Sequence, residues 1–213
     1  KAINTNPNDA EAHSNMGWIL FQFKKFENAI KSFKKAIEIK SDYVEAHFNL
    51  GNTLKALGKL NEAEESYLSA IKFNPKFLAA HFNLASTFIA LNKLTQAESS
   101  YKRILVFKPD YAEVHSNLGT LFLKLKKEDE AELSYRKAIE INPNYTEAYF
   151  NLGVLLQKLN RTKEAELSYK KAIQLKTDYA EAYLKLGILM QKLNKSKEAE
   201  LNYQKALKIR PNY

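Results

Sequence analysis

Asn15, Asn49, Asn83, Asn117 and Asn151 stand 34 residues apart along the chain, and Lys185 ends their row. A carboxamide offers an acceptor oxygen and a donor NH2, the complement of a peptide main chain. Asparagine is not favoured in the middle of a helix, and an exposed position does not require it for packing. The row therefore either holds an extended peptide or records duplication within an asparagine-rich sequence. A second row on the same spacing holds His13, His47, His81 and His115, with Tyr149 and Tyr183 in the last two places. Neighbouring helices pack about 8–10 Å apart, whereas a metal needs nitrogens at about 2.0–2.1 Å. The histidine slot is thus read as a place for a flat, semi-polar ring, and no metal site is expected. There is no cysteine, which excludes disulfides, thiolate metal sites and thiol catalysis. No nucleophile–base motif, phosphate loop or dinucleotide fingerprint is present. Neither catalysis nor a cofactor is expected of this segment.

The spacing runs through the whole chain. Gly17, Gly51, Gly119, Gly153 and Gly187 share one grid, with Ala85 in the missing place. Ala29, Ala63, Ala97, Ala131, Ala165 and Ala199 form another, and Phe33, Tyr67, Tyr101, Tyr135, Tyr169 and Tyr203 a third. Pro7, Pro75, Pro109, Pro143 and Pro211 form a fourth, with Ser41 and Thr177 as exceptions. Six units follow, 10–43, 44–77, 78–111, 112–145, 146–179 and 180–213, behind a tail of a preceding unit at 1–9. A fixed period of this length marks a repeat architecture. Six Gly and five Pro are too few turns for an all-β chain.

Each unit reads as helix, turn, helix. Tyr149, Leu152, Gly153 and Leu156 recur at helical spacing. Asn160 then interrupts, and Asn tolerates the left-handed conformation that ends helices. Gly58, Asn92 and Asn194 hold the same place. Thr162 is expected to cap a second helix carrying Ala165, Tyr169, Ala172 and Ile173, and Asn142–Pro143 stops the corresponding helix one unit earlier. Capping boxes are expected from Asp42 to Glu45, Asp110 to Glu113, Asn144 to Glu147 and Asp178 to Glu181.

These residues resemble the signature of the tetratricopeptide repeat: a ring at position 4 of the unit, Leu at 7, Gly at 8, Ala at 20, Tyr at 24, Ala at 27 and Pro at 32. The departures are Ala85, Ile104, Ser41 and Thr177, and Ile104 is expected to shift the packing of the third unit. The resemblance covers essentially the whole chain. It implies an all-α solenoid of 34-residue helix-turn-helix repeats, a right-handed superhelix formed as one array over 1–213. In that family positions 2, 6, 9 and 13 of the first helix line a concave groove. The asparagine row is most like that of O-linked N-acetylglucosamine transferase-type repeats, which grip peptides by their main chain.

The resemblance makes the asparagine row the peptide-binding candidate, with Trp18, Phe48, Phe82 and Phe150 beside it and Lys124, Lys158, Lys185 and Lys192 in the later half. Phe21 and Ile89 add apolar surface. The three Phe lie on the flank of the face and read equally well as the edge of the core, whereas the angle of Trp18 on the helix points it outwards. Glu113, Glu147 and Glu181 partly offset the lysines. The net charge of +9 suits an acidic partner or a solvated surface alike. The leading function is a non-catalytic scaffold binding protein or peptide segments in the groove. The alternative is the substrate-selecting arm of a glycosyltransferase or sulfotransferase whose catalytic domain lies elsewhere. Nucleic acid is not expected, because the Glu row opposes phosphate. A chaperone-tail clamp is not expected either, since position 5 is Ser, Phe or Leu. No apolar run reaches the ~20 residues of a membrane helix and no signal-peptide pattern opens the chain, so a cytoplasmic setting is expected. The chain starts at Lys1 and both ends are cut in register, so a longer parent and self-association through uncapped ends are expected.

Overall fold

The structure, a computed structural model, describes residues 9–212. Residues 1–8, which include Pro7 and most of the expected leading tail, lie outside the described residues. The fold is an all-α solenoid of helix-turn-helix repeats, with twelve helices and no strand among the described residues. It forms two compact units, one ending at Pro109 and one starting at Asp110. The first unit contains α1 (Ala10–Gln22), α2 (Phe26–Ile39), α3 (Val44–Ala56), α4 (Leu60–Phe73), α5 (Leu78–Ala90) and α6 (Leu94–Phe107). The second contains α7 (Ala112–Lys124), α8 (Glu128–Ile141), α9 (Thr146–Lys158), α10 (Thr162–Leu175), α11 (Ala180–Lys192) and α12 (Ser196–Ile209). Odd-numbered helices are the A helices of their repeats and even-numbered ones the B helices.

The turn between A and B helices is made by one left-handed residue. Gly58, Asn92, Asn160 and Asn194 take positive φ, and so do Lys24 and Lys126. The next N–H then reaches back to the last turn of the A helix, as Arg161 N donates to the Leu156 carbonyl at 2.9 Å. This is the six-to-one closure of a Schellman motif. It fixes the antiparallel return that brings A and B faces together.

The capping boxes do not form. The N-cap of α3 is Tyr43, and those of α7, α9 and α11 are Tyr111, Tyr145 and Tyr179, none with a side-chain capping bond. Asp42, Asp110, Asn144 and Asp178 each lie one residue too early to serve. First-turn amides bond instead to the tyrosine carbonyls, as Ala148 N does to Tyr145 O at 3.1 Å. Asp9 is the capping acid observed, accepting from Ala12 N at 3.0 Å. Thr162 does not cap α10 either, because the N-cap is Arg161 and Thr162 is already helical.

The core is broader than a single helical stripe. Positions 7, 8 and 11 are buried as expected, for instance Leu152, Gly153 and Leu156. Positions 3 and 10 are buried as well: Ala46, Ala80, Val114, Ala148 and Ala182, and Thr53, Thr87, Leu121, Leu155 and Leu189. An A helix inside a unit packs both on its own B helix and on the B helix before it, so apolar contact wraps more than half of its circumference. On α1, before which no helix is described, Met16 and Ile19 remain exposed.

Candidate functional site

Position 6 lies where successive A helices run side by side within a unit, so its row is less exposed than a helical wheel suggests. Asn15 is exposed, whereas Asn49, Asn83, Asn117, Asn151 and Lys185 are half-buried. In the first unit Asn83 Nδ2 donates to Asn52 Oδ1 at 2.7 Å, across to the neighbouring A helix. Tyr67 of α4 donates its hydroxyl to the same oxygen at 2.8 Å. Burial pushes the Tyr67 phenol pKa well above its ordinary value, so it stays a hydroxyl donor. One amide oxygen thus ties an A helix, its B helix and the next A helix together.

Lys55 lies in the same region. Its Nζ donates to Ser86 Oγ at 2.5 Å, and Ser86 Oγ donates in turn to the Asn83 carbonyl at 2.8 Å. Burial lowers the Lys55 pKa from the usual lysine value. No carboxylate of the described residues pairs with it. Asn52 and Ser86 occupy position 9, which the wheel placed on this face, but Lys55 at position 12 was not legible because its reach across to α5 depends on the neighbouring repeat.

The aromatic candidates divide. Trp18 is 47% exposed and stacks on Phe21 with ring centres 5.8 Å apart, which makes it an accessible platform. Phe48 packs against Tyr67 at 6.0 Å and Phe77 at 4.9 Å. Phe82 meets Tyr101 at 5.8 Å, and Phe150 meets Tyr169 at 6.0 Å and Tyr179 at 5.0 Å. These three rings are half-buried and seal the flank of the core. Ser14 and Ser116, at the same position in other repeats, are buried.

In the second unit the structure draws three of the four candidate lysines together. Lys158 of α9 and Lys185 and Lys192 of α11 line one recess of about 360 Å³, with Val154, Gln157, Asn160 and Tyr169. Lys192 donates to Asn160 Oδ1 at 3.0 Å, and Lys158 pairs with Glu128 at 2.6 Å with its side chain still 61% exposed. The Tyr169 hydroxyl donates to Gln157 Oε1 at 2.7 Å. Lys185 has no carboxylate partner among the described residues. Lys124, at the end of α7, does not line this recess. The arrangement presents ammonium groups and a carboxamide to one volume, which suits a carboxylate-bearing ligand.

Two of the position-4 rings are hydrogen-bonded to the backbone. His47 Nε2 lies 2.8 Å from the Ser41 carbonyl, and His81 Nε2 lies 3.0 Å from that of Pro75. Each ring pins the loop that leads into its own A helix. Among the described residues no three His, Asp or Glu side chains gather as a metal site, and no helix is long and apolar enough to cross a membrane.

Comparison with known proteins gives matches along most of the chain. The family model for the cilia and flagella-associated protein 70 middle TPR-like domain matches residues 81–210. Models for the TPR repeat and the tetratricopeptide repeat match residues 17–58 and 44–77. No curated protein matches the chain. Among solved structures, a tetratricopeptide repeat protein from Parabacteroides merdae is 22% identical, covers 93% of this chain and 79% of its own, and has a TM-score of 0.81. PilF from Pseudomonas aeruginosa is 20% identical, covers 96% of this chain and 93% of its own, and has a TM-score of 0.78. YrrB, described as a TPR protein with an unusual peptide-binding site, is 23% identical, covers 85% and 93%, and has a TM-score of 0.65. At these identities the likeness is one of fold.

Proposed function

The chain belongs to the tetratricopeptide repeat family, and from that premise we propose that it is a non-catalytic scaffold for protein–protein interaction, binding extended segments of acidic partners along its A-helix face. The single observation that carries the reading is the recess formed by Lys158, Lys185 and Lys192. Three cations share it, and Lys185 has no carboxylate of its own, so an incoming carboxylate gains charge-assisted hydrogen bonds without displacing a native partner there. Asn117 and Asn151, which carry the row on α7 and α9, supply amides for the main chain of the same ligand, much as the asparagine rows of O-linked N-acetylglucosamine transferase-type repeats do. Trp18 provides a separate stacking surface in the first unit. The peptide-binding site named for YrrB agrees with this use of the fold.

The experiment is a selection from an unbiased library of unstructured peptides, followed by affinity measurement at rising salt. The retained peptides are expected to be acidic and to weaken as salt screens their charges. Replacing Lys158, Lys185 and Lys192 together by Glu is expected to weaken them by at least about tenfold with an unchanged melting temperature. Peptides without acidic residues, or affinities untouched by the triple charge reversal, overturn the reading.

A further inference from the structure

On the B helices of the second unit one register position is leucine in every repeat and stays in solvent. Leu133, Leu167 and Leu201 are 71%, 68% and 52% exposed. In the first unit the same position is filled by Lys31, Glu65 and Ser99, all exposed. The leucine row is therefore not a requirement of the repeat's packing.

Two of these leucines border apolar wells in matching register. Leu167 edges a recess of about 510 Å³ floored by Ile139, Tyr149 and Leu152. Leu201 edges one of about 250 Å³ floored by Ile173, Tyr183 and Leu186. Each well also carries the lysine four residues after its leucine, Lys171 or Lys205. Lys171 donates to Gln174 at 3.2 Å, and Lys205 sits over the Tyr183 ring at 5.5 Å. Neither has a carboxylate partner among the described residues. The acids at the rims are engaged elsewhere, Glu140 with Lys137 at 2.7 Å and Glu198 with Lys195 at 3.8 Å. The repeats 146–179 and 180–213 thus each offer an apolar well with one unneutralised cation beside it.

We propose that this B-helix face of the second unit is a second docking surface, separate from the A-helix face, and that its occupant is an acidic amphipathic helix of a partner protein. The occupant must place an apolar side chain and a carboxylate at each well. The lysine beside each well has no carboxylate of its own, so an acidic segment gains there what a basic one loses. An amphipathic helix carries apolar and acidic side chains together along one face over several turns, and so presents both to successive wells. A second copy of this chain is disfavoured as occupant by its own charge of +9.

The test uses the whole chain and a fluorescent helical peptide carrying Leu at two places seven residues apart, flanked by Glu. The control peptide has Lys in place of those Glu. Saturable binding of the acidic helix and none of the basic one is expected. Leu167→Lys with Leu201→Lys is expected to weaken binding by about tenfold or more, since each leucine loses its buried contact. Both residues are exposed, so the melting temperature is expected to hold. Absence of saturable binding overturns the proposal, as does binding untouched by the double substitution. Sedimentation showing dimers that the double substitution dissolves replaces the partner helix by a second copy and overturns it too. Displacement of the helix by the acidic A-face peptides merges the two surfaces and refutes the separation, whereas simultaneous binding supports it whatever becomes of the groove reading.

Discussion

Gly153 lies against the ring of Tyr169 so closely that a β-carbon on it would stand 2.8 Å from Tyr169 Cδ1 and Cε1. The ring is fully buried and its hydroxyl is tied to Gln157, so it has little room to withdraw. Gly51 meets Tyr67 in the same way. In the third repeat Ala85 replaces the glycine, and there Phe82 meets Tyr101 at 72°, against 53° and 50° for the equivalent Phe48–Tyr67 and Phe150–Tyr169 pairs. Both departures of this repeat, Ala85 and Ile104, are fully buried.

Gly153→Val is accordingly expected to destabilise the protein by about 1–3 kcal/mol through overpacking. Ala85→Gly relieves no clash and is expected to cost up to about 1 kcal/mol in helix propensity. Chemical denaturation of the two variants checks both. A neutral Gly153→Val would mean that the Tyr169 ring moves freely.

The asparagine row separates into positions that hold the protein and positions open to a ligand. Asn83→Ala loses the bond to Asn52 and is expected to cost about 0.5–1.5 kcal/mol. Asn151, whose side chain makes no hydrogen bond among the described residues, is expected to tolerate Ala within about 0.5 kcal/mol. Melting curves of the two single variants decide this, and the result selects Asn151 as the cleaner probe of peptide binding.

His81 gives the protein a component of acid sensitivity. Burial lowers its pKa, the nearby Arg103 adds to that, and the bond to the Pro75 carbonyl opposes it. The folded state therefore binds this proton less readily than the unfolded chain. The neutral ring's contribution is complete above the unfolded value of about 6.5 and is lost as the pH falls towards the lower folded value. His81→Tyr, which copies Tyr149 and Tyr183, is expected to flatten the decline in melting temperature between about pH 7 and 5. The other three histidines are unchanged in the variant, so the difference between the two profiles isolates this ring.

Glu132 sits between Arg161 at 2.5 Å and Arg136 at 2.8 Å, and its own side chain is 17% exposed. Burial works against its charge, but the two guanidinium groups outweigh it and hold the carboxyl pKa below the usual value. Its stabilising effect is present above the unfolded carboxylate pKa and is lost as the pH falls through the folded one. Glu132→Gln is expected to cost about 1 kcal/mol at low salt, less at high salt, and nothing once the parent's carboxyl is protonated. Denaturation at two salt concentrations and two pH values reads all three effects.

What the sequence determined by itself was the repeat, the two helices of each unit and the turn between them. All of these recur at fixed short separations, so one chain compared with itself reveals them. Local chemistry was legible where it was self-contained: Asn92, Asn160 and Asn194 take positive φ because their own side chains tolerate it. Lys24 and Lys126 take it too, which only the surrounding helix pair enforces. The N-caps of α3, α7, α9 and α11 fall on tyrosines one residue after the expected acids, a boundary the capping pattern alone did not locate.

Tertiary structure alone decided the exposure of each face and which polar groups meet. A helical wheel gives a residue's angle on its own helix and nothing about the neighbours on either side. Within a unit, positions 3 and 10 of the later A helices became core because a second B helix covers them. Asn83 became partly structural because Asn52 stands one repeat away at hydrogen-bonding distance. Lys158, Lys185 and Lys192 became one recess, and Leu167 and Leu201 became the rims of wells, because adjacent repeats bring residues about 30 apart in the chain to within a helix packing distance.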